Sequence, residues 1–364
     1  MRILHTEASA GWGGQELRIL AEMQGMRARG HVLELAAPAE ARISREARAL
    51  GFIVHSLPIA RKSLRGLLAM RTLLRRERFD VVNSHSSTDT WLTALACQTL
   101  REAPPLVRTR HISAPLRKNA ATRWLYTRAT NSIVTTGEKL RRDLIEVNGF
   151  TRVPIRSVPT GIDPKRFQPR DARAARAELG LPERFTIGIV ATLRSWKGHR
   201  FLIEAFSNLP GEPQLAIVGD GPQRANLESL VAAKALTNRV RFVGHDSRPE
   251  RWLQALDLFV LPSYANEGVP QALMQAMMCG VPCVTTDVGA IGEIAVHGRT
   301  AWIVPPQDAG ALGEALARLM ADATQRAALG EAARSFALAH CTFEEMCRAM
   351  EEVFREAMRG EQSS

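Results

Sequence analysis

Aromatic side chains are scarce, 5% of 364 residues with only two tyrosines, so the stacking platforms of single-stranded nucleic-acid binders are missing. Cysteine is sparse too. Cys97, Cys279, Cys283, Cys341 and Cys347 are odd in number, scattered and never spaced C-x-x-C. That excludes a disulfide framework and a structural zinc site and fits a reducing compartment. Long apolar runs are also lacking. The longest uncharged stretch, Gly268 to Thr286, is interrupted by Pro270, Gly280, Pro282 and two glutamines, which suits buried elements rather than a membrane span. The apolar stretch after Met1 is too short for a signal peptide, so a cytoplasmic protein, at most peripheral on a membrane, is expected. No G-x-x-x-x-G-K-[ST] loop occurs.

Positive charge, by contrast, is abundant and uneven. Residues 1–170 hold 29 Lys and Arg against 14 Asp and Glu, a balance of +15; the remaining residues hold 19 against 23, a balance of −4. Such asymmetry points to a polyanionic partner for the first half: nucleic acid, an anionic membrane or a phosphorylated substrate. Short apolar strands alternate with helical stretches from Ile3 to Thr136. The pattern breaks at the turn-rich Pro159-Thr160-Gly161-Ile162-Asp163-Pro164, then restarts at Thr186. This predicts an α/β protein of two doubly wound Rossmann-like domains with mostly parallel sheets. The expected limits are 1–165 and 166–340, with a C-terminal helix in 341–364 packing back on the first domain.

In such sheets ligands bind beyond the carboxyl ends of the strands. Four loops there carry suitable residues. Gly11-Trp12-Gly13-Gly14-Gln15-Glu16 opens a helix after the first strand, where glycines let backbone N–H groups approach an anion, or simply make a tight turn. Arg194 and Lys197 flank a helix start in Thr192-Leu193-Arg194-Ser195-Trp196-Lys197-Gly198, although solvated charges alone would account for them. Gly219-Asp220-Gly221-Pro222 is a strand-to-helix turn. The richest loop runs from Leu261 through Glu267-Gly268-Val269-Pro270-Gln271 to Gln275. It places an acid after a buried strand and two polar glutamines one turn apart on an apolar helix, where a ligand is one candidate partner.

Together these blocks resemble the nucleotide-sugar glycosyltransferases of family 4, across nearly the whole chain. The strongest block is Glu267-Gly268-x-Pro270 through Gly280-x-Pro282. Lys197-Gly198, Gly219-Asp220-Gly221-Pro222, Val240-x-Phe242-x-Gly244, Gly161-x-Asp163-x-x-x-Phe167-x-Pro169 and Pro305-Pro306-x-Asp308 support it, and Gly13-Gly14 with Glu16 is similar to the family's glycine loop. The resemblance implies the GT-B fold, two domains facing across a cleft, and transfer that retains the anomeric configuration. It implies that Glu267 holds donor-sugar hydroxyls, with the backbone at Gly268 and Val269 near the phosphates. Lys197 and Arg194 hold the pyrophosphate, Gly13 and Gly14 belong to the donor site, and His111 lines the reaction centre, with His85 a weaker candidate. Two positions depart from the family: Gln275 stands where a second glutamate contacts the ribose, and Thr192 where an arginine is usual.

No D-x-D triplet occurs. The diphosphate charge is therefore assigned to Lys197, Arg194 and helix N-termini, with no metal and no cofactor beyond the nucleotide-sugar donor. The basic half supplies the expected acceptor side. Residues 61–78 carry seven cations and one acid, Glu77, interleaved with leucines; residues 108–128 carry six cations and no acid. At roughly 1 kcal/mol per cation near an anionic leaflet, this predicts salt-sensitive docking at the inner membrane face. Together with this basic half, the resemblance implies a lipid-linked glycan or lipopolysaccharide core as the acceptor, and no nucleic acid is expected. The rival readings are a sugar-nucleotide epimerase on the same fold and a degenerate member that binds without turnover.

Overall fold

The computed structural model describes residues 1–111, 116–265 and 267–360. Asn266 of the glutamate loop, four residues of the basic stretch 108–128 and the last four of the C-terminal segment lie outside them.

The chain divides into two units, Met1–Gly161 with Phe343–Ser364, and Ile162–Thr342. The first division therefore falls before Ile162 rather than after residue 165. The reason is local: the Ile162 N–H donates to the Cys341 carbonyl at 2.8 Å, and Ile162 and Phe167 are buried in the second unit's core. The second division falls after Thr342 rather than residue 340, because Thr342 bridges Ile162.

In the first unit the strands are β1 (Arg2–Thr6), β2 (Val32–Ala37), β3 (Ile53–Ser56), β4 (Val81–Ser84), β5 (Leu106–Arg110), β6 (Ser132–Thr135) and β7 (Ile155–Ser157). They form one parallel sheet in the order β3-β2-β1-β4-β5-β6-β7. The order reverses beside β1, so the loops after β1 and β4 open at the switch point where such sheets bind ligands. Alternate residues of β1 enter different cores. Ile3 packs with Ile19 and Met23 of helix Gly14–Ala28 and with Met350 and Phe354 of helix Phe343–Arg359; Leu4 packs with Met70 and Leu73 of helix Leu64–Arg76. Local chemistry sets the helix starts. Ser63 accepts from the Gly66 N–H, and Ser86 with Asp89 forms a capping box at helix Ser87–Cys97.

The second unit holds β8 (Thr186–Val190), β9 (Gln214–Val218), β10 (Val240–Gly244), β11 (Leu258–Leu261), β12 (Cys283–Thr285) and β13 (Trp302–Ile303). They lie parallel in the order β10-β9-β8-β11-β12-β13, with the switch between β8 and β11. Every residue of β11 is buried, as expected of a strand covered on both faces. Among the described residues no helix is long and apolar enough to cross a membrane.

Candidate active site

In the second unit the loops after β8 and β11 meet at the switch point. The β8 loop ends in a short turn, Ser195–Lys197, and the β11 loop leads through Ser263 and Glu267 into helix Gln271–Met278. Lys197 Nζ lies 2.6 Å from Glu267 Oε1, and the Ser263 hydroxyl donates to the same oxygen at 2.6 Å. Glu267 is buried while Lys197 is half-buried, so one end of the pair remains open to solvent.

Gly198 joins the β8 and β11 loops, and Gly289, in the loop after β12, abuts the β11 loop. Gly198 has φ +77°, and a Cβ there would sit 2.0 Å from the Pro262 carbonyl oxygen. Gly289 has φ +65°, and its Cβ would sit 2.1 Å from the Glu267 carbonyl oxygen. The Tyr264 N–H donates to the Trp196 carbonyl at 2.9 Å, tying the β8 and β11 loops a second time.

The other expected residues of this unit lie near the pair in sequence and differ in exposure. Gly268 is half-buried and Val269 buried. Arg194 is exposed, its guanidinium 5.3 Å from the Trp196 ring, with no ion pair among the described residues. Gln275 is half-buried on the helix, and its side chain makes no hydrogen bond among the described residues. Thr192 is exposed.

Gly13, Gly14 and His111 belong to the first unit. Gly13 caps helix Gly14–Ala28 with an extended backbone. His111 follows β5 and is half-buried at the carboxyl end of the sheet. It does not stand alone. His111 Nε2 lies 3.0 Å from His85 Nδ1, and His85 Nε2 lies 2.9 Å from His5 Nδ1, a row of three imidazoles running inward. Burial lowers His5 to about 3; burial, then the His5 and His111 rings and Arg18, holds His85, and burial, then Arg18, holds His111, well below the ordinary histidine value. All three are neutral at physiological pH. Near them two carboxyls are raised: Glu7 to about 8, by burial and then Asp89, and Glu22 to about 7, by burial against the pull of Arg18 and Asn83.

A cationic group lies on the same unit. Arg108 is buried, its Nε and Nη1 without hydrogen-bond partners among the described residues, its guanidinium 4.4 Å from the Tyr126 ring, and Arg110 donates to the Tyr126 hydroxyl at 3.0 Å. Lys62 sits 5.0 Å from the Trp91 ring, lowered by burial and then by Arg108 and Arg117. Asp89 is the nearby acid, but its oxygens already accept from Thr6, His85 and Ser86.

Two family profiles divide the chain between them: glycosyltransferase family 4 over residues 12–166 and the glycosyl transferases group 1 over residues 171–336. A D-inositol 3-phosphate glycosyltransferase of Corynebacterium jeikeium is 30% identical over 312 residues, 76% of this chain and 72% of that one. The chain belongs to the family 4 glycosyltransferases. A lipopolysaccharide core biosynthesis mannosyltransferase of Rhizobium meliloti is 34% identical over 227 residues, which cover 58% of this glycosyltransferase and 63% of the relative, under two thirds of its length. Among solved structures, a glycosyltransferase from Rickettsia africae matches 99% of both chains with a TM-score of 0.87 at 18% identity. The HepE protein of Anabaena in complex with UDP covers 98% of this glycosyltransferase with a TM-score of 0.85 at 20% identity. At those identities the likeness concerns the fold, which is GT-B.

The motif blocks contain Lys197 and Glu267, but nothing in them marks Ser263 as a partner, and His5 and Glu22 lie outside them. The signal for the histidines is modest: His5, His85 and His111 each fall at or just after the carboxyl end of a strand.

Proposed function

We propose that this chain is a retaining glycosyltransferase that moves a sugar from a nucleotide-diphosphate sugar to a lipid-linked or lipopolysaccharide-core acceptor at the inner membrane face. The observation that carries the reading is the Lys197–Glu267 pair at the switch point of the second sheet. A half-exposed cation beside a buried carboxylate gives one group for phosphate oxygens and another for sugar hydroxyls. In this reading Glu267 accepts from the donor sugar, and Gly268 and Val269 offer backbone N–H groups to the phosphates. Lys197 and Arg194 meet the diphosphate charge in place of a metal ion, and the Gln275 side chain holds the ribose. Gly13, Gly14 and His111 contribute from the first unit. Attack is from the front, with the acceptor hydroxyl passing its proton to the leaving phosphate.

The donor class is supported by the UDP complex of the Anabaena structure, and the acceptor class by the name of the Rhizobium relative. Arg108, with two nitrogens lacking partners among the described residues, and the crowded Lys62 favour an acceptor that carries an anion. Saturating the chain in turn with UDP-, GDP- and ADP-sugars tests the donor. One of them is expected to raise the melting temperature by several degrees, since ligand at about 100 Kd adds about 2.7 kcal/mol. A set that leaves melting unmoved, or a donor isomerised with no acceptor present, overturns the reading.

Membrane docking is assigned to helix Leu64–Arg76. Leu64 is 71% and Leu68 53% exposed, beside exposed Arg61, Lys62, Arg65, Arg75 and Arg76. Two apolar side chains among cations suit shallow seating on an anionic surface. Neutralising Arg65, Arg75, Arg76 and Arg78 together is expected to cut binding to anionic vesicles at least about tenfold at low salt, at roughly 1 kcal/mol per cation. Equal binding to neutral and anionic vesicles, measured by sedimentation, counts against it.

A further inference from the structure

The imidazole row has an inner end as well as an outer one. His5 Nε2 is buried without a hydrogen-bond partner among the described residues and faces Glu22 Oε1 at 3.9 Å. Glu22 is fully buried on helix Gly14–Ala28. Around it stand Arg18 of the same helix, Nε 3.8 Å from Oε2; Asn83 of β4, donating to Oε1 at 3.1 Å; and Cys347 of helix Phe343–Arg359, a thiol that burial, then Glu22, raises to about 12. The Asn83 amide faces Glu22 with its nitrogen, as an ionised carboxylate requires, and the Thr109 hydroxyl of β5 donates to its Oδ1 at 2.8 Å.

A neutral imidazole has one N–H and one lone pair, and each N···N contact needs one of each. Three rings in a row therefore have only two arrangements, all Nε2–H or all Nδ1–H. Whatever selects the proton position on His5 selects it on His111. A lone pair facing a carboxylate in buried surroundings is disfavoured against an N–H. We propose that Glu22 is a positioning residue which, through His5 and His85, sets the ring nitrogen of His111 that carries the proton. With Glu22 ionised, His5 Nε2–H points at the carboxylate, His85 Nε2–H at His5, and His111 Nε2–H at His85. The Nδ1 lone pair of His111 is then left to accept from a ligand hydroxyl. With Glu22 protonated the row reverses. One proton enters at His111 Nδ1, one crosses each N···N contact, and one passes from His5 Nε2 to Glu22 with a small swing of the carboxylate; every ring stays neutral. His111 then presents an N–H donor. Because burial raises Glu22 to about 7, the change falls near physiological pH.

The consequence for transfer rests on the proposed placement of His111 at the donor sugar; the coupling along the row does not. Ring ¹⁵N NMR of the ligand-free protein tests the coupling directly. Above pH 7 the parent is expected to carry the His111 proton on Nε2, and on lowering the pH the populations invert with a midpoint near 7. Glu22→Gln is expected to abolish that pH dependence and Glu22→Asp to keep it. His85→Phe removes both ring nitrogens, interrupts the row and should make His111 indifferent to residue 22, a control that stands even where Glu22→Gln fails to fold. A His111 tautomer constant through this range in the parent, or one that still follows residue 22 in His85→Phe, overturns the proposal. Transfer rates separate the two readings. If the ring proton follows residue 22 but His111→Gln transfers sugar like the parent, the relay stands and the placement of His111 fails.

Discussion

Glu267→Gln and Lys197→Gln are each expected to slow sugar transfer by roughly ten- to a hundredfold while the chain still folds. A charge-assisted hydrogen bond to a bound group is worth about 1.5–3 kcal/mol, and each 1.36 kcal/mol is tenfold. The neutral amides keep the length of Glu267 and most of Lys197. That choice matters because Glu267 is only 5% exposed, and Lys197→Ala would leave a buried carboxylate with, among the described residues, Ser263 alone, confounding catalysis with stability. In Glu267→Gln the cation is half-exposed and rehydrates. Transfer rates should therefore fall far more than melting temperatures. Near-parental rates in both variants would remove the pair from the reaction.

Gly198→Ala is expected to be at least as damaging, by a different route. The backbone conformation alone costs about 1–3 kcal/mol for a residue with a side chain. The new Cβ also meets the Pro262 carbonyl at 2.0 Å, and Pro262 is buried at the end of β11, where the backbone cannot retreat without displacing the following Ser263 and Glu267. The Lys197 loop must swing away instead, opening the ion pair. A stability loss above about 3 kcal/mol with transfer nearly abolished is the expected outcome. Gly211→Ala is the control. Its φ is +73° with nothing within 4 Å, so it should cost only the conformational part and leave transfer intact. If the two variants melt alike, the close approach at Pro262 is not what holds the loop.

Much of this site is legible in the amino-acid sequence, for physical reasons that differ by residue. Lys197, Gly198 and Glu267 lie in short contiguous motifs, where spacing along the chain is spacing in space; Gly289 lies outside them. The alternation of strands and helices is similarly plain, because buried parallel strands such as β11 are unbroken apolar runs. The imidazole row is not legible. His5, His85 and His111 are brought together only by the strand order β1-β4-β5, which depends on crossover connections and not on local pattern. Arg18 and Glu22 are hidden differently: four residues apart on a helix, they read as a solvated pair, yet both are fully buried. The short strands β7 and β13, three and two residues long, carry too few side chains for a period to show.

Helix Phe343–Arg359 belongs to the first unit although the whole second unit precedes it in the chain. During synthesis the second unit is therefore a continuous segment, its ends joined where Ile162 bridges Thr342, and can close as soon as it emerges. The first unit cannot. Its sheet is made early, but Met346, Met350, Val353 and Phe354 arrive last, each worth about 1.5–3 kcal/mol of burial. The amino-terminal unit thus reaches its native core second. Until it does, Glu22 lacks its cover from Cys347, His5 lacks the edge of Phe354, and the nascent chain carries an open apolar face for helix Gly14–Ala28 to guard alone.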